Sequence, residues 1–515
     1  MPSSTDDTAV LIVPSWPEPK DGNGQEPWTP TAHDLPAEPE PLTNPRLTTL
    51  AWLAPALVAL GIGAFRLGNP ALSEDELATW GMVTASWADF RSVVANVDLT
   101  VAPYYALLHL WVALVGDADW LLRLPSVLFA AGATGLVAAI GIRLGGRRVG
   151  LSAGLLFAVL PGVSRYAQEA RPYALVLLAA AGSTYLLLRL LDRPRWPVYL
   201  GYLGMVVLLG LAHVVALLLL LAHGLLVAGE RSWRSFLAWL GVASIGGALV
   251  LPLVLAGRAQ SGSQLGWVPP LTWARLAETP ERLFGTTVIA GAVMALALTA
   301  MSMRPLVRAA TLWALAPAAG LAAAALITPL WVPRYLLFVL PAWALLAALA
   351  LHRLTILRCL VVVLGIGLLA APAQATIRTG YGHDFASRDI ALVIRANRLP
   401  GDAVLFGPFS DGDQRTSRDA FMRYLDGDER PDDKLMVRPP RTQGSLGAQE
   451  CPDLDVPSCF GKPDRVWVVR KGTYSNVMVD IGAAKEQLLR QDFVQSRLWP
   501  LKGFTVALYT RKPAL

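Results

Sequence analysis

The sequence predicts an all-α membrane protein with many spans, followed by a small α/β or α+β domain. Of its 515 residues, 54% are hydrophobic and only 16% are charged, and the mean hydropathy is +0.46. About a quarter of the residues of a soluble globular chain are charged, so this composition favours the membrane. The net charge of +6 is small, and the basic residues occur in short groups between apolar blocks. This distribution argues against a nucleic-acid partner.

About eleven apolar segments precede residue 374, each close to the roughly 20 residues that a bilayer requires. They predict helices near residues 50–68, 122–142, 149–165, 173–191, 197–211, 213–228, 236–256, 286–303, 309–327, 335–351 and 357–373. Residues 46–373 are therefore interpreted as a transmembrane domain. Residues 1–45 are rich in Pro, Asp, Glu and Thr and predict a disordered cytoplasmic tail. This tail lacks the features of a signal peptide, so we expect the first helix to be an uncleaved anchor.

Arginine clusters at every second turn predict the orientation. Five clusters fall on one side of the eleven helices, at residues 143–148, 189–195, 231–234, 304–308 and 353–358. By the positive-inside rule this side is cytoplasmic. The odd number of crossings then places residues 374–515 outside the cell. The apolar segments predict a multi-pass protein surrounded by membrane lipids. Arg far outnumbers Lys, which indicates a bacterium with a GC-rich genome, so we expect the membrane to be a bacterial plasma membrane.

The loop at residues 69–121 is too long to be a simple connector on the outer face. It starts with three consecutive acids, Glu74, Asp75 and Glu76. Its apolar stretch from Pro103 to Val115 is short for a span and predicts an interfacial or half-buried helix. Taken alone, the acids are more simply interpreted as a solvated loop beside a membrane helix.

Residues 374–515 mix charged and apolar positions and predict an extracytoplasmic α/β or α+β domain. Helices are expected at 388–398 and 485–491, strands at 403–407, 466–469 and 504–510, and a loop at 431–462. Cys451 and Cys459 flank a short polar segment, and a disulfide between them is one of two open alternatives. Cys and His do not cluster at metal-ligand spacing.

Charged residues beside the membrane predict a site on the outer face. The topology places the acids Asp75, Glu76 and Glu169 there together with Arg171 and Arg334. Carboxylates can take a proton from a hydroxyl, and arginines can hold a phosphate through two hydrogen bonds. These groups suit the transfer of a group from a lipid phosphate to an alcohol. The alternative for Glu169 and Arg171 is a local ion pair that caps a helix.

An ordered series of motifs runs from about Leu50 to Pro341. Its members are Glu74-Asp-Glu-Leu-Ala-Thr79, Asp98, Pro103-Tyr-Tyr-Ala-Leu-Leu-His-Leu-Trp111, Leu122-Arg-Leu-Pro-Ser126, Arg147-Arg-Val-Gly-Leu151, Tyr166-Ala-Gln-Glu-Ala-Arg-Pro-Tyr173 and Arg334-Tyr-Leu-Leu-Phe-Val-Leu-Pro341. This series resembles the integral-membrane C-type (GT-C) glycosyltransferases. It is most similar to bacterial members that resemble protein O-mannosyltransferases and the aminoarabinose transferase of lipid A.

The resemblance implies an inverting transferase that moves a sugar from a polyprenyl-phosphate donor to an acceptor hydroxyl. Asp75 would be the catalytic base, Glu76 a second catalytic residue that helps to orient the substrate or a metal ion, and Glu169 the second acid. Arg171 and Arg334 would bind the donor phosphate. Further substrate contacts are expected from the residues around them: Asp98, Tyr104, Tyr105, Arg123, Tyr166, Gln168, Tyr173, His213 and Tyr335. Glu74 is interpreted as dispensable.

Several points stay open at this level. The expected donor sugar is mannose, with arabinofuranose as the alternative, and the acceptor is a glycan, a lipid or a protein. A divalent cation is not required, but Asp75, Glu76 or Glu169 would be its ligands. Val101-Ala-Pro103 stands where many relatives have His-Pro-Pro or His-Gly. A transporter or lipid flippase is disfavoured because internal repeats are not found. A membrane scaffold with a working C-terminal domain is the third class.

Overall fold

The computed structural model describes residues 45–230, 232–260 and 266–513. Residues 1–44 of the predicted tail and Arg231 lie outside these ranges, whereas Pro45, predicted as the end of the tail, begins the first helix. Fifteen α-helices occupy the described residues up to 377: α1 (Pro45–Ala64), α2 (Glu74–Val83), α3 (Trp87–Asn96), α4 (Ala102–Val115), α5 (Asp119–Val159), α6 (Pro161–Ala167), α7 (Tyr173–Asp192), α8 (Trp196–Ala212), α9 (Leu219–Ala228), α10 (Trp233–Ala259), α11 (Trp273–Phe284), α12 (Thr287–Ala300), α13 (Pro305–Ala325), α14 (Leu340–Ala350) and α15 (Ile356–Ile377). Short 3-10 helices, Leu99–Val101, Val214–Leu218 and Pro333–Val339, lead into α4, α9 and α14.

Seven helical stretches of the described chain are long and apolar enough to cross a membrane, or eight if α11 and α12, bent by 91°, form one span. Three shorter apolar helices accompany them, at Leu99–Val115, Trp196–Ala212 and Val214–Ala228. Each of the eleven predicted segments falls on a helix. The all-α polytopic fold is therefore confirmed, although several segments are shorter than a full span.

Helix α5 contains two predicted segments because the chain folds back in its middle. Gly145 and Gly146 leave the helical conformation, and Gly146 has a φ of 83°, which favours glycine. A Cβ atom at Gly141 would lie 2.8 Å from the Cα atom of Gly150. In a straight helix those residues would be roughly 13 Å apart. The two halves of α5 therefore form a close hairpin that requires small residues where they touch.

Helix α7 connects two chemically different ends of the helical bundle. It begins at Tyr173, directly after the predicted site, and ends at Asp192, whose carboxylate contacts Arg143. Twenty residues of α-helix span about 30 Å. The turn at Gly145 packs near Leu349, close to the end of α14. The basic cluster at residues 353–358, which follows α14, therefore lies at the same end of the bundle as the clusters at residues 143–148 and 189–195. Which end faces the cytoplasm stays a prediction.

The first long loop, residues 69–121, contains the short helices α2, α3 and α4 and packs against the C-terminal domain. Ser73 caps α2 in a reciprocal arrangement: its hydroxyl accepts from the Glu76 N–H, and the Glu76 carboxylate accepts from the Ser73 N–H. Helix α4 has 14 residues, about 21 Å, which is shorter than a bilayer core. It buries Tyr104 and Tyr105 and exposes Leu114. Such a half-buried helix is what the apolar stretch predicts.

The C-terminal residues form a four-stranded mixed sheet with helices. Its strands, in the order β1-β4-β6-β5, are β1 (Ala403–Phe406), β4 (Arg465–Lys471), β6 (Phe504–Arg511) and β5 (Phe493–Leu501). Strands β1 and β4 are parallel, and the other pairs are antiparallel. The main helices are α16 (Ser387–Asn397), α17 (Asp413–Tyr424) and α19 (Ala483–Asp492). This small mixed domain is the one expected from the sequence.

The segment 431–462, predicted as a loop, is not entirely irregular. It contains the two-stranded pair β2 (Met436–Arg438) and β3 (Gln449–Glu450) and the short helix α18 (Val456–Phe460). In the structure Cys451 and Cys459 form a disulfide bond, the pairing that the sequence left open. The strands are two and three residues long and mostly exposed, so they leave no clear alternation in the sequence.

The C-terminal domain packs directly on the first long loop. The hydroxyl of Ser387 donates to the Leu72 carbonyl at 2.7 Å. Arg423 of α17 forms ion pairs with Asp117 and Asp119, each at 2.8 Å. These contacts join α17 to the segment between α4 and α5, so the domain forms part of the surroundings of the acidic loop.

Candidate active site

The first turn of α2 directs three consecutive acids to three different surroundings. Successive residues of an α-helix are rotated by about 100°, so neighbours cannot share one face. Glu74 faces the C-terminal domain, Asp75 faces the arginines, and Glu76 lies in the interior. The three acids therefore have separate roles, which are described in turn.

Glu76 forms a completely buried ion pair with Arg123 of α5. The guanidinium donates to both carboxylate oxygens, at 2.6 and 2.8 Å, and both side chains are 0% exposed. The N–H of Ala170 donates to the same carboxylate at 3.0 Å. Arg123 also donates to the carbonyls of Leu67, Pro70 and Ala71. Burial raises the pKa of Glu76, but Arg123 lowers it by more, so the net pKa is well below its usual range.

His383 completes this buried cluster from the C-terminal part of the chain. Its Nδ1 atom lies 3.3 Å from Glu76 Oε2 and 3.4 Å from Arg123 Nη2. Burial, reinforced by the charges of Arg165 and Arg123, lowers the pKa of His383 to about 3, so the ring is neutral at physiological pH. Glu76 and Arg123, which the sequence assigns to catalysis and substrate binding, fasten α2 to α5 and to the turn at Ala170. A direct contact of either with substrate stays a prediction.

Asp75 lies in a more open environment. Its side chain is 34% exposed, and Arg334 Nη2 lies 3.7 Å from its carboxylate, too far for a good hydrogen bond. Burial raises the pKa of Asp75, but the charges of Arg171 and then Arg334 lower it further, so the net shift is downward. Asp75 is therefore ionised at neutral pH and keeps an accessible oxygen. This combination suits a group that accepts a proton from a substrate.

Arg171 is held in front of Asp75 by a chain of hydrogen bonds from the first loop. Its Nη1 donates to the Tyr105 hydroxyl at 3.1 Å, and that hydroxyl donates to Asp98 Oδ2 at 3.1 Å. Among the described residues, the buried Nε–H groups of Arg171 and Arg334 have no hydrogen-bond acceptor. Other buried arginine N–H groups of the described residues also lack acceptors, but these two belong to the arginines whose charges act most strongly on Asp75, and an anionic ligand between them would satisfy both.

Glu169 pairs with Arg165 and not with Arg171. Arg165 Nη1 lies 3.2 Å from Glu169 Oε2, and the Glu169 side chain is 5% exposed. Burial raises the pKa of Glu169, and the nearby charges of Glu76 and Asp75 add to the rise against the opposing effect of Arg165. Glu169 therefore holds a proton more readily than Asp75, which separates the chemistry of the two acids.

Aromatic rings line one side of the arginines. The ring of Tyr173 lies 5.1 Å from Tyr166 and 6.1 Å from His213, and His213 lies 4.6 Å from Tyr335. The guanidinium of Arg334 lies over Trp267, 5.3 Å from its ring centre. The structure thus brings together four predicted substrate-binding residues as one wall. Trp267 joins this wall, although it was not among the residues predicted to contact the substrate.

Two other predicted substrate contacts lie inside the helical packing. The Tyr104 hydroxyl lies 3.3 Å from Ser126 Oγ, and both side chains are buried. The Gln168 amide donates to the carbonyls of Gly63 and Phe65, at 2.7 and 2.9 Å. Gln168 therefore braces the end of α1. The contacts of both residues favour a structural role, and their substrate contacts stay predictions.

The C-terminal domain holds Glu74, which the sequence interpretation treats as dispensable. Lys471 Nζ lies 2.7 Å from its carboxylate, with Arg415 Nη2 at 3.2 Å and Thr416 Oγ1 at 3.1 Å. Because Glu74 precedes Asp75 on the first turn of α2, these contacts also fix the backbone that carries Asp75. The structure therefore gives Glu74 a positioning role that its sequence context does not reveal.

The three predicted metal ligands do not converge. Asp75, Glu76 and Glu169 have different partners, and the described residues include no group of three or more His, Cys, Asp or Glu side chains that could hold a metal ion. The arrangement can accept a proton at Asp75 and bind an anion between Arg171 and Arg334. It offers this chemistry beside apolar helices.

Comparison with known proteins gives two kinds of likeness. A family model described as dolichyl-phosphate-mannose-protein mannosyltransferase matches residues 101–255. The crystal structure of ArnT from Cupriavidus metallidurans in the apo state has a TM-score of 0.61 and 14% identity, covering 88% of this chain and 97% of that chain. The same protein bound to undecaprenyl phosphate has a TM-score of 0.61 and 14% identity, covering 89% and 98%.

A more distant likeness is the cryo-EM structure of the arabinofuranosyltransferase AftD from Mycobacteria. It has a TM-score of 0.47 and 15% identity and covers 90% of this chain and 40% of that chain. The comparison with curated proteins gives no match. The likeness to ArnT includes both the helical bundle and the C-terminal domain, and at this identity it establishes the fold.

Proposed function

We propose that this chain, which has the fold of the integral-membrane C-type glycosyltransferases, transfers a sugar from a polyprenyl-phosphate donor to an acceptor hydroxyl. The main support is the position of Asp75, an ionised and accessible carboxylate opposite two arginines whose buried N–H groups lack acceptors. The structure of ArnT bound to undecaprenyl phosphate supports the same class of lipid here. The family model that matches residues 101–255 makes mannose the first sugar to test.

In the proposed reaction Arg171 and Arg334 hold the donor phosphate. Asp75 removes the proton of the acceptor hydroxyl while the acceptor oxygen forms a bond to the anomeric carbon. The bond between that carbon and the phosphate oxygen breaks, and the phosphate leaves with the electron pair. A single base opposite the leaving group gives inversion, as in inverting glycosidases. The arginines stabilise the negative charge that develops on the leaving phosphate.

Donor binding would also make Asp75 a stronger base. In the free protein the charges of Arg171 and Arg334 hold the pKa of Asp75 below its ordinary value. A phosphate between the arginines would neutralise part of their charge, so the carboxylate would gain affinity for a proton. An efficient general base has a pKa closer to the working pH. Asp75 would thus reach its full basicity only when the polyprenyl-phosphate sugar is bound.

Glu169 and Glu76 have different proposed roles. Glu169, which is almost completely buried beside Arg165, can accept a hydrogen bond from a sugar hydroxyl. Glu76 acts through Arg123 by holding the first turn of α2 in place. The proposed site lies on the extracytoplasmic face, with the C-terminal domain beside it and the N-terminus in the cytoplasm. The acceptor would be a cell-envelope glycan, lipid or protein.

A donor screen tests this function. The full-length protein in proteoliposomes is supplied with polyprenyl-phosphate-mannose or polyprenyl-phosphate-arabinofuranose together with a membrane extract as acceptor. The measurements are the release of polyprenyl phosphate and the anomeric configuration of the product. We expect one donor to be consumed with inversion. Retained configuration would contradict the single displacement, and failure of every polyprenyl-phosphate sugar to react would contradict the proposed donor class.

A further inference from the structure

A charged cavity lies at the end of the helical bundle away from Asp75. It has a volume of about 320 Å³ and lies where α5, α7 and α8 meet. Its lining consists of four arginines, one aspartate and one valine: Arg143, Arg189, Arg193, Arg195, Asp192 and Val198. A volume of this order is within the range of small-ligand sites, which starts at about 300 Å³.

The charges in this cavity are unbalanced. Asp192 offsets one guanidinium through its contact with Arg143, whose Nη2 also lies 3.4 Å from the Leu188 carbonyl. Three arginines of the lining remain in excess over the carboxylates. Helix α8 begins at Trp196, so the positive end of its dipole lies at the same place. An anion is the ligand that such a cavity attracts, and guanidinium groups bind phosphate oxygens well.

The position of the cavity indicates a lipid. Trp196, adjacent to Arg195, is 73% exposed, and exposed tryptophans typically mark the headgroup level of a membrane. Arginines at the ends of spans follow from the positive-inside rule alone, but that rule does not require them to converge on a cavity. Arg353 and Arg358, predicted on the same side, are not part of its lining.

We propose that this arginine cavity binds the phosphate headgroup of an anionic membrane lipid. Basic pockets between transmembrane helices are known sites for such headgroups. The proposed lipid would join α7 and α8 to the hairpin of α5 and would stabilise the bundle at the end away from Asp75. This site is independent of the transfer reaction, so it could exist even if the proposed function were wrong.

The test uses the full-length protein in nanodiscs of phosphatidylcholine alone or mixed with phosphatidylglycerol. The variant R193A/R195A removes two lining charges, and R353A/R358A removes two charges outside the cavity. We expect phosphatidylglycerol to raise the thermal midpoint of the wild type and of R353A/R358A. In R193A/R195A that rise should disappear, and the phosphatidylglycerol retained in native mass spectra should fall by roughly tenfold. R193K/R195K should restore part of both effects.

Three outcomes would overturn the proposal. If R193A/R195A and R353A/R358A lose the phosphatidylglycerol-dependent rise in thermal midpoint to the same extent, the lipid is attracted by general electrostatics and not by a specific site. No loss in R193A/R195A would remove the cavity from lipid binding. If inorganic phosphate gives the same rise in thermal midpoint in nanodiscs of phosphatidylcholine alone, with the same dependence on Arg193 and Arg195, the site recognises free phosphate and not a lipid. Equal thermal midpoints of all variants in phosphatidylcholine would show that folding is unchanged.

Discussion

Two clusters of charged residues lie side by side on α2 and have opposite properties. Glu76 and Arg123 are fully buried, and hydrogen bonds from the backbone and His383 complete their surroundings. Asp75 and Arg334 are each about one-third exposed and lie 3.7 Å apart. A buried ion pair whose own charged atoms all have hydrogen-bond partners stabilises the fold, whereas a cluster with unused donors and an accessible carboxylate can bind and react. One residue along a helix is enough to separate the two roles.

The largest expected effect is on folding, through the buried cluster. Breaking a buried ion pair leaves an unpaired charge, at a cost of about 3–5 kcal/mol. Glu76→Gln should therefore lower the free energy of unfolding by about this amount, which a fall in the thermal midpoint in detergent would report. Glu486→Gln breaks an exposed pair with Arg490 and should cost about 0–1 kcal/mol. Equal effects of the two variants would contradict a structural role for Glu76.

The next largest effect is expected on catalysis, through Arg334, the proposed phosphate-binding residue of the partly exposed cluster. Arg334→Gln should lower kcat by about 10²–10³-fold, since it removes a charged donor that stabilises the leaving phosphate. The thermal midpoint should change little, because the Arg334 side chain is 31% exposed and its contact with Asp75 is long. Arg91→Gln, an exposed arginine on α3, is the matched control and should retain activity. A normal kcat in Arg334→Gln would exclude this residue from phosphate binding.

The pH profile tests how the two clusters differ in proton affinity. Asp75 must be ionised, so activity is present above its pKa and is lost as the pH falls through it. Because Arg334 helps to hold that pKa below the ordinary value, Arg334→Gln should move the acid limb of kcat/KM to higher pH. In the wild type, donor binding should place the acid limb of kcat at higher pH than that of kcat/KM. If Arg334→Gln leaves the acid limb at the same pH, either Arg334 does not influence the pKa of Asp75 or the acid limb does not report the ionisation of Asp75.

The smallest expected effect concerns the link between α2 and the C-terminal domain. Glu74→Gln weakens the contacts from Lys471 and Arg415 and should lower kcat by about threefold to tenfold, with KM for the donor nearly unchanged. The reciprocal exchange E74K/K471E should recover part of the loss. Glu278→Gln, at an exposed position on α11, is the control. If Glu74→Gln has full activity, Glu74 does not position Asp75 and is dispensable, as the sequence analysis predicted.

The fold could be predicted from the sequence because its determinants are local. Eleven apolar segments near the length of a bilayer predict helices α1, α5–α10 and α12–α15, and the stretch from Pro103 to Val115 predicts α4. Short apolar runs predict β1, β4 and β6. The shorter and more polar helices α2, α3 and α11 were not predicted. Helix α17 was missed because its buried face carries Asp413, Arg418 and Asp419, which pair with charges from distant segments. Its sequence therefore has no apolar period, and its helical conformation depends on tertiary contacts.

The candidate site was predicted less completely. Motif resemblance placed Asp75, Arg171 and Arg334 in one region, and the structure brings them together. Sequence spacing could not show that the Glu76 side chain points into the interior. That prediction requires the orientation of α2 and the position of Arg123, which only the folded chain defines. His383 lies 307 residues from Glu76 in the chain, and no local pattern connects them. Contacts between the first long loop and the C-terminal domain link two parts of the chain that are far apart in sequence, and local sequence patterns do not reveal them.

The most direct test of the central claim compares sugar transfer by Asp75→Asn and Glu76→Gln, each normalised to folded protein. A general base contributes about 10²–10⁴-fold, so Asp75→Asn should lose that much of kcat at an unchanged thermal midpoint. Asp426→Asn, whose side chain is 85% exposed, should behave as wild type. Glu76→Gln should lose stability but keep most of its activity per folded molecule. If properly folded Asp75→Asn transfers sugar at the wild-type rate, Asp75 is not the base.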